Sequence, residues 1–488
     1  MTLKGLVVSM WNKLLGKELP SCLYQKDDNI ENWKNVYQLA APWLNYEYVT
    51  IGGKRRRRRL TLNPAKVICN YIASLVFTEP PVYMADDAVL DVLKANAFNK
   101  NLRKNTEYMC ALGGMAIKLY SDDSLKLDFV SALNFIPLSW DNQRVTEAAF
   151  IDHRVKNGKK YTRVETHRRH YSEVPLLDAD GNMVLKDGLP VMKQGKQDGY
   201  LITNELFEKI DGETFTKSDL VSVFPELIPE TLVPTATPLF VYIKTPSANN
   251  YDFESPLGIS TFANAIDTIQ ALDIAFDGLN SEILLGKKRI IVPTSAIKKV
   301  TDTTTGKQVR YFDPSDEIYQ ALDIDDAEKL KIQDNSVELR VEEIKLAIQT
   351  LLDILSMQCG LTQSTLSYKD GEVKTATEVI SENSKTFKTK QDYENELADG
   401  IVGIMEAIRE VQKLGTSTEY SVVFSDSIIQ DRDSNALYWQ NRYASGTCTL
   451  EQALIGMDGL SEADAKKQAD IILGLAPVNT EETNRDTE

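Results

Sequence analysis

The clearest alternation of apolar and polar positions lies between Ser336 and Leu414. Over residues 337–358, Val341, Ile344, Ile348, Leu351, Leu352 and Leu355 recur every three or four positions, the spacing of one helical face. Gly360 is the stop signal that follows. Residues 361–374 are mostly Thr, Ser, Gln, Lys, Asp and Gly, and with so little apolar surface they predict a loop. A second helical run starts at Thr375, an N-cap with Glu378 as its capping-box partner, and continues without proline to about Leu414. At about 1.5 Å per residue, roughly forty residues make a rod on the order of 60 Å.

Another long helix is predicted over residues 259–285. Phe262, Ile266, Ile269, Leu272, Phe276, Leu279 and Ile283 form its apolar stripe, and Asp267, Asp273 and Asp277 its acidic side. Gly286-Lys287-Lys288-Arg289 closes it with the charge that a helix C-terminus favours. Between this helix and the one at 337–358, strand-like segments at 289–292 and 308–312 flank the turn at 303–307. Asp323, Asp325 and Asp326 there read as a solvated loop rather than a metal site. A helix out, a small cap and a helix back predict a stalk.

From 113 to 244 the period drops to two. Segments 115–121, 125–130, 148–155, 161–171 and 200–207 are rich in Val, Ile, Tyr and Thr and are separated by turn signals such as Asn157-Gly158, so they predict an antiparallel meander. Ahead of it, Leu3, Val7, Met10 and Leu14 mark a short helix docked on the body, with membrane-surface attachment as the alternative. Asn63-Pro64 opens a buried helix to about Phe77 that Pro80-Pro81 ends. Beyond 414 come a strand at 420–424 and helices at 436–443, 450–457 and 462–473, the second capped by Thr449 and Gln452. Residues 478–488 are acidic and polar and read as disordered. The fold class is α+β.

A chain of 488 residues calls for two or more units. Its net charge of −16 argues against a nonspecific nucleic-acid binder. The exception is Lys54-Arg55-Arg56-Arg57-Arg58-Arg59, which reads three ways: contact with the carboxylates of a neighbouring subunit, contact with phosphates, or a solvated loop. Five scattered cysteines predict a reducing compartment. No apolar run is long enough for a signal or a membrane span, so export and membrane insertion are not expected. Trp11, Trp33 and Trp43 read as core or interface anchors.

Catalytic signatures are missing. Residues 278–287 have glycines too far apart for a phosphate loop, with Lys288 where Ser or Thr would hold magnesium. His167 and His170, two of three histidines, sit three apart in a predicted strand and face opposite sides, which disfavours a metal pair. Residues 178–182 suggest a calcium loop, but Leu189 stands where the bidentate Glu belongs. No enzyme, cofactor or metal is expected.

Several stretches resemble portal proteins of siphophages that infect Gram-positive hosts: Leu60-Thr61-Leu62-Asn63-Pro64-Ala65-Lys66, Ser255-Pro256-Leu257-Gly258-Ile259-Ser260, Val337-Glu338-Leu339-Arg340, Gly360-Leu361-Thr362 and Thr375-Ala376-Thr377-Glu378-Val379. The resemblance spans nearly the whole chain and implies a ring, commonly of twelve copies, at one capsid vertex, assembled in the host cytoplasm. DNA would be pumped in and later leave through it. It implies a wing over 1–250, stem helices at 251–286 and 336–360, a clip at 287–335, a tunnel loop at 361–374, a long wing helix and strand at 375–425, and a crown from 426. Terminase, a head-completion adaptor, the major capsid protein and scaffolding protein are the implied partners.

In that scheme Gln363, Ser364, Thr365, Ser367, Tyr368, Lys369 and Lys374 would touch DNA, and Lys298, Lys299, Lys307 and Arg310 would meet partners at the clip. The acids Asp267, Asp273, Asp277, Glu338, Glu342 and Glu343 are candidates for the channel wall, because a wall that neutralised phosphates would hold the DNA it must release. Two other readings stay open at this point: a different structural head protein, such as a minor capsid or adaptor protein, and an ATP-driven packaging enzyme, which would need a nucleotide loop.

Overall fold

The computed structural model describes residues 21–50, 53–176, 183–186, 189–210, 215–285, 289–291, 298–301, 306, 308–311, 333–335, 338–367, 376–415, 419–424, 432–458 and 462–472. Helix and sheet both contribute, as an α+β chain requires. The contacts divide the chain into two units. The first comprises Met1–Ile30, Cys69–Thr261 and Asp370–Glu488, the second Glu31–Ile68 and Phe262–Lys369. The predicted helix near the N-terminus and the polar tail lie outside the described residues.

The chain begins with α1 (Ser21–Tyr37), the hairpin β1 (Asn45–Thr50) and β2 (Gly53–Arg58), and α2 (Pro64–Val76). Then follow β3 (Val82–Met84), α3 (Asp87–Ala95), α4 (Phe98–Leu112), β4 (Gly114–Ser121) and β5 (Leu125–Ser131). The larger strands come next: β6 (Phe135–Asp141), β7 (Arg144–Lys156) and β8 (Lys159–Pro175). After the two-residue β9 (Leu185–Lys186) and β10 (Leu189–Pro190), β11 (Met192–Lys209), β12 (Phe215–Ser218), the one-turn α5 (Leu220–Val223), β13 (Glu230–Val233) and β14 (Phe240–Lys244) complete this part.

In the first unit the expected meander is present but divides into two sheets. One runs β12-β11-β8-β7-β6, with β13 also on β11; the other is β14-β4-β5. The break falls where a single turn of 3-10 helix, Ala132–Asn134, redirects the chain after β5. Asn157 and Gly158, both at positive φ (52° and 76°), form the tight β7–β8 turn that their dipeptide predicts. Strand β6 is an edge, and its register against β7 shifts between Pro137 and Ser139 and again before Trp140.

Apolar side chains from both sheets share one core, including Ala116, Phe135, Phe150, Ile151, Val164 and Phe240. The Phe135 ring stacks on Tyr242 at 4.5 Å. Each such aromatic removed from water contributes about 1.5–3 kcal/mol. A charged clip also crosses from one sheet to the other. Lys118 on β4 donates to Glu165 on β8 at 2.8 Å, and the same carboxylate takes Arg163 at 2.8 Å and the His167 ring at 2.7 Å. Burial pushes the Glu165 carboxyl upward, but the hydrogen bond from His167 and the charges of Lys118, His167 and Arg163 outweigh it and hold it well below the usual carboxylate range.

The second unit is built on α6 (Ile266–Leu285) and, beyond the strands β15 (Arg289–Ile291), β16 (Lys298–Thr301), β17 (Gln308–Tyr311) and β18 (Gln333–Asn335), on α7 (Val341–Gln358). The two helices pack together, and β15, just after α6, pairs antiparallel with β18, just before α7. The predicted helix out and helix back are therefore present, with only the strand segments of the cap between them among the described residues. The start of the first helix moves from 259 to 266. The backbone of 259–261 is taken up elsewhere: Thr245 donates to the Ile259 carbonyl at 2.6 Å and the Thr261 N–H to the Cys110 carbonyl at 2.9 Å.

The rod predicted after the loop is α8 (Ala376–Val411), 36 residues. Tyr393, Leu397, Ile401, Ile404, Met405 and Ile408 are buried on one face, which lies against β14 and β4 in the first unit. At its far end Glu410 accepts the N–H groups of Ala236 (2.6 Å) and Thr237 (3.1 Å). Next, β19 (Ser421–Val423) pairs with β3, and the chain ends in α9 (Arg432–Ala444), α10 (Leu450–Asp458) and α11 (Glu462–Ile472). The capping box that opens α10 is formed as expected: the Gln452 N–H donates to Thr449 Oγ1 at 3.2 Å and the Thr449 N–H to Gln452 Oε1 at 3.1 Å. No helix among the described residues is long and apolar enough to cross a membrane.

Candidate functional site in the helix pair

The basic run is not a loop. It forms β2, paired with β1 in the register Glu47↔Arg56 and Tyr46↔Arg57, so alternate arginines face opposite sides. On one side Arg57 reaches Asp277 Oδ1 and Ser281 Oγ, both at 3.2 Å. Arg59 donates to the Trp43 carbonyl and lies 4.4 Å from the centre of the Tyr46 ring. On the other side Arg56 pairs with Glu47 at 2.7 Å, and Arg58 donates to the Leu39 carbonyl at 3.2 Å. Arg55 is exposed. Four of the five arginines thus have partners inside the protomer.

The hairpin and the 3-10 turn leading into it, Pro42–Leu44, change the reading of the acids on α6. Asp273 is 2% exposed and accepts the Trp43 indole N–H at 2.9 Å. Burial raises its carboxyl above the usual range, against the opposing pull of Thr61, Trp43 and Arg59. Asp277 is 7% exposed and accepts the Leu60 N–H at 3.2 Å as well as Arg57. The expectation that these two acids belong to a channel wall is corrected: their carboxylates are covered and occupied within the second unit. Asp267 is exposed, and so are Glu338, Glu342 and Glu343 at the start of α7. Trp43 serves as an anchor through its indole N–H, and Trp33 is buried; Trp11 lies outside the described residues.

Between the helices, Arg340 binds Glu282 with its side chain at 3.4 Å and its N–H at 3.3 Å, and these bonds lower the Glu282 carboxyl. The C-terminus of α7 closes as Gly360 predicts. Gly360 has φ 77°, the Leu361 N–H returns to the Ser356 carbonyl at 2.8 Å and the Gly360 N–H to Met357 at 3.3 Å, a Schellman closure with Leu361 fully buried beneath it.

The first part of the predicted loop, Gln363–Leu366, is a turn of 3-10 helix packed on α7. Gln349 Nε2 ties it down, donating to Ser367 Oγ and Asp353 Oδ1 at 2.9 Å each. Gln363 is exposed and Thr365 and Ser367 are half-buried; Ser364 lies within the turn, and Tyr368, Lys369 and Lys374 are outside the described residues. In the cap, Lys299 on β16 stands opposite Arg310 on β17, with Lys298 one residue earlier; Lys307 is outside the described residues.

Sequence reasoning missed the hairpin's grip on α6. Gly52-Gly53, following the alternating Tyr46 and Tyr48, is the turn signal that could have found it. Of the histidines, His167 is buried against Glu165 and His170 pairs with Asp198 at 2.7 Å on an exposed part of β8, so the two do face apart. Among the described residues no cluster could hold a metal ion.

The site is thus two packed helices with paired strands between them and a tied turn at the end of α7. Residues 21–469 match the family model described as phage portal protein, SPP1 Gp6-like, and the chain belongs to that family. No curated protein sequence matches it. It is a phage portal protein, the head-to-tail connector, and the family is structural rather than enzymatic. Family membership carries with it a homo-oligomeric ring at a capsid vertex that deals with DNA, terminase and capsid proteins.

Proposed function

We propose that twelve copies of this chain form the ring through which double-stranded DNA is packaged and ejected, with α6 and α7 as the stem around the path. The family match over most of the chain carries this reading, and the packed helix pair supports it. The strands between the helices form the clip, where Lys298, Lys299, Lys307 and Arg310 meet terminase and then the head-completion adaptor. Residues 1–250 and the long helix with its strand make the wing, and the last helices make the crown, which together meet the major capsid and scaffolding proteins; Arg55, at the exposed end of β2, is free for such a contact.

The exposed carboxylates of Asp267, Glu338, Glu342 and Glu343 border the DNA path. Phosphates slide past them because these carboxylates neutralise no phosphate and so add no affinity that each step must break, while the neighbouring cations Lys345 and Arg340 are paired with Glu342 and Glu282. The segment from Gln363 to Lys374 reaches the DNA, and Lys369 and Lys374 touch phosphates transiently. Negative-stain images of the purified chain should show a toothed ring with a central hole; a particle that stays solitary in solution and in the virion overturns the reading. Changing Asp267, Glu338 and Glu342 together to Lys should slow packaging, and unchanged kinetics with intact rings would reject the acidic path.

A further inference from the structure

The solvent face of α7 is apolar where a free helix would be charged. Leu346 is 69% exposed, Ile354 37% and Met357 47%. With exposed Thr350 they follow one another four, four and three residues apart, a single stripe, while Ile348, Leu352 and Leu355 on the opposite stripe are buried within the protomer. Charge on this face stops at Glu343, three residues before Leu346, and Asp353 beside the stripe is held by Gln349. On α6, Ile274 is 45% exposed, and a Cβ built on Gly278, one turn further, would have nothing within 4 Å. A glycine in mid-helix is unfavourable relative to alanine, and no group among the described residues uses the space it leaves.

The pair has a fixed register. The Arg340–Glu282 contact aligns the helices, and six residues on from Arg340 is Leu346, while six back from Glu282 is Phe276. Leu346 therefore stands level with the turn that carries Ile274 and Gly278. A closed ring of identical chains needs two different, mutually fitting patches on every copy. The second unit offers a ridge of bulky side chains and, at the same level, a notch.

We infer that neighbouring copies join here, the Leu346–Ile354–Met357 ridge of α7 on one protomer seating against Ile274 and Gly278 of α6 on the next. Ridge-into-groove packing needs this difference in side-chain size. Asp277, beside the notch, already has Arg57 and the Leu60 N–H as partners, so contact there strips water from no free charge. The inference rests on the ring reading of the family and goes further by naming the two faces.

The test uses the full chain in a Cys22→Ser, Cys448→Ser background carrying Leu346→Cys and Ile274→Cys, treated with a short bis-maleimide. Native mass spectrometry of the untreated protein gives the ring. The double variant should yield a covalent ladder ending at the ring mass, and either single variant none. Leu346→Glu with Met357→Glu should keep the helical circular dichroism and melting of the free protomer while lowering the ring fraction at least tenfold. A ring by mass with no ladder overturns the inference and leaves the ring reading standing. Intact rings from the Glu variant, with slowed DNA passage, would place the stripe in the lumen and also overturn it. A wild-type chain that never forms a ring defeats the ring reading and this inference together.

Discussion

Glu165 is a carboxylate shared by three bases at the junction of two sheets, and nothing in the sequence announces it. Lys118 and Glu165 are 47 residues apart, and β8 reads as ordinary alternation. Replacing Glu165 by Gln should destabilise the first unit by about 3 kcal/mol, since it leaves buried Lys118 and Arg163 only the longer pairings with the more exposed Asp128 (3.7 Å) and Asp152 (3.6 Å); the shift in urea midpoint measures it. The folded carboxyl lies below its unfolded value of about 4.5, so its stabilisation is fully present above that pH and is lost as pH falls through the lower folded value. The gap between wild type and Glu165→Gln should thus hold steady from neutrality down to about 4.5 and narrow only in stronger acid. Asp273 and Asp277 teach the complementary lesson. Helical spacing places them on the polar side of α6, but whether that side meets water depends on Trp43 and Arg57, more than two hundred residues away in the chain.

At the scale of elements, the segments with sustained periodicity were legible. Helix α7, its stop at Gly360, the rod α8 and the β7–β8 hairpin lie within a few residues of where spacing puts them. What was not legible is where tertiary contacts override local preference. The segment before α6 looks helical, yet its backbone groups bond to Thr245 and Cys110. Helices α3 and α4 went unmarked, and a single 3-10 turn split the meander. Of the candidate site, the position of the turn after α7 was readable, but the tie from Gln349 to Ser367 was not. Gly360→Ala should cost about 1 kcal/mol, because φ 77° strains any residue with a Cβ. The fall in melting temperature checks it, and Gly360→Asn, which tolerates this region better, should fall less.

At the scale of the whole molecule, a net charge of −16 in a protein that handles DNA makes sense only if contact is meant to be brief. The run of arginines, which alone suggested the reverse, is largely spent on Asp277, Glu47, Trp43 and Leu39 within the protomer. Purified wild-type protein should therefore retain no duplex in a gel-shift at about 0.15 M salt. The Asp267→Lys, Glu338→Lys, Glu342→Lys variant should retain it, with a log-log salt slope steeper by about 0.9 for each phosphate gained. Assembly by another route is closed off by β6. A bare sheet border invites a foreign backbone to zip onto it, but residues 135–138 of β6 are buried, Pro137 has no N–H to offer, and the slipped pairing on either side of Ser139 spoils the even spacing such zipping needs. Copies crowded together on a forming capsid thus lack a template there for fibrous stacking, and their association is steered toward side-chain surfaces, which can close on themselves and stop.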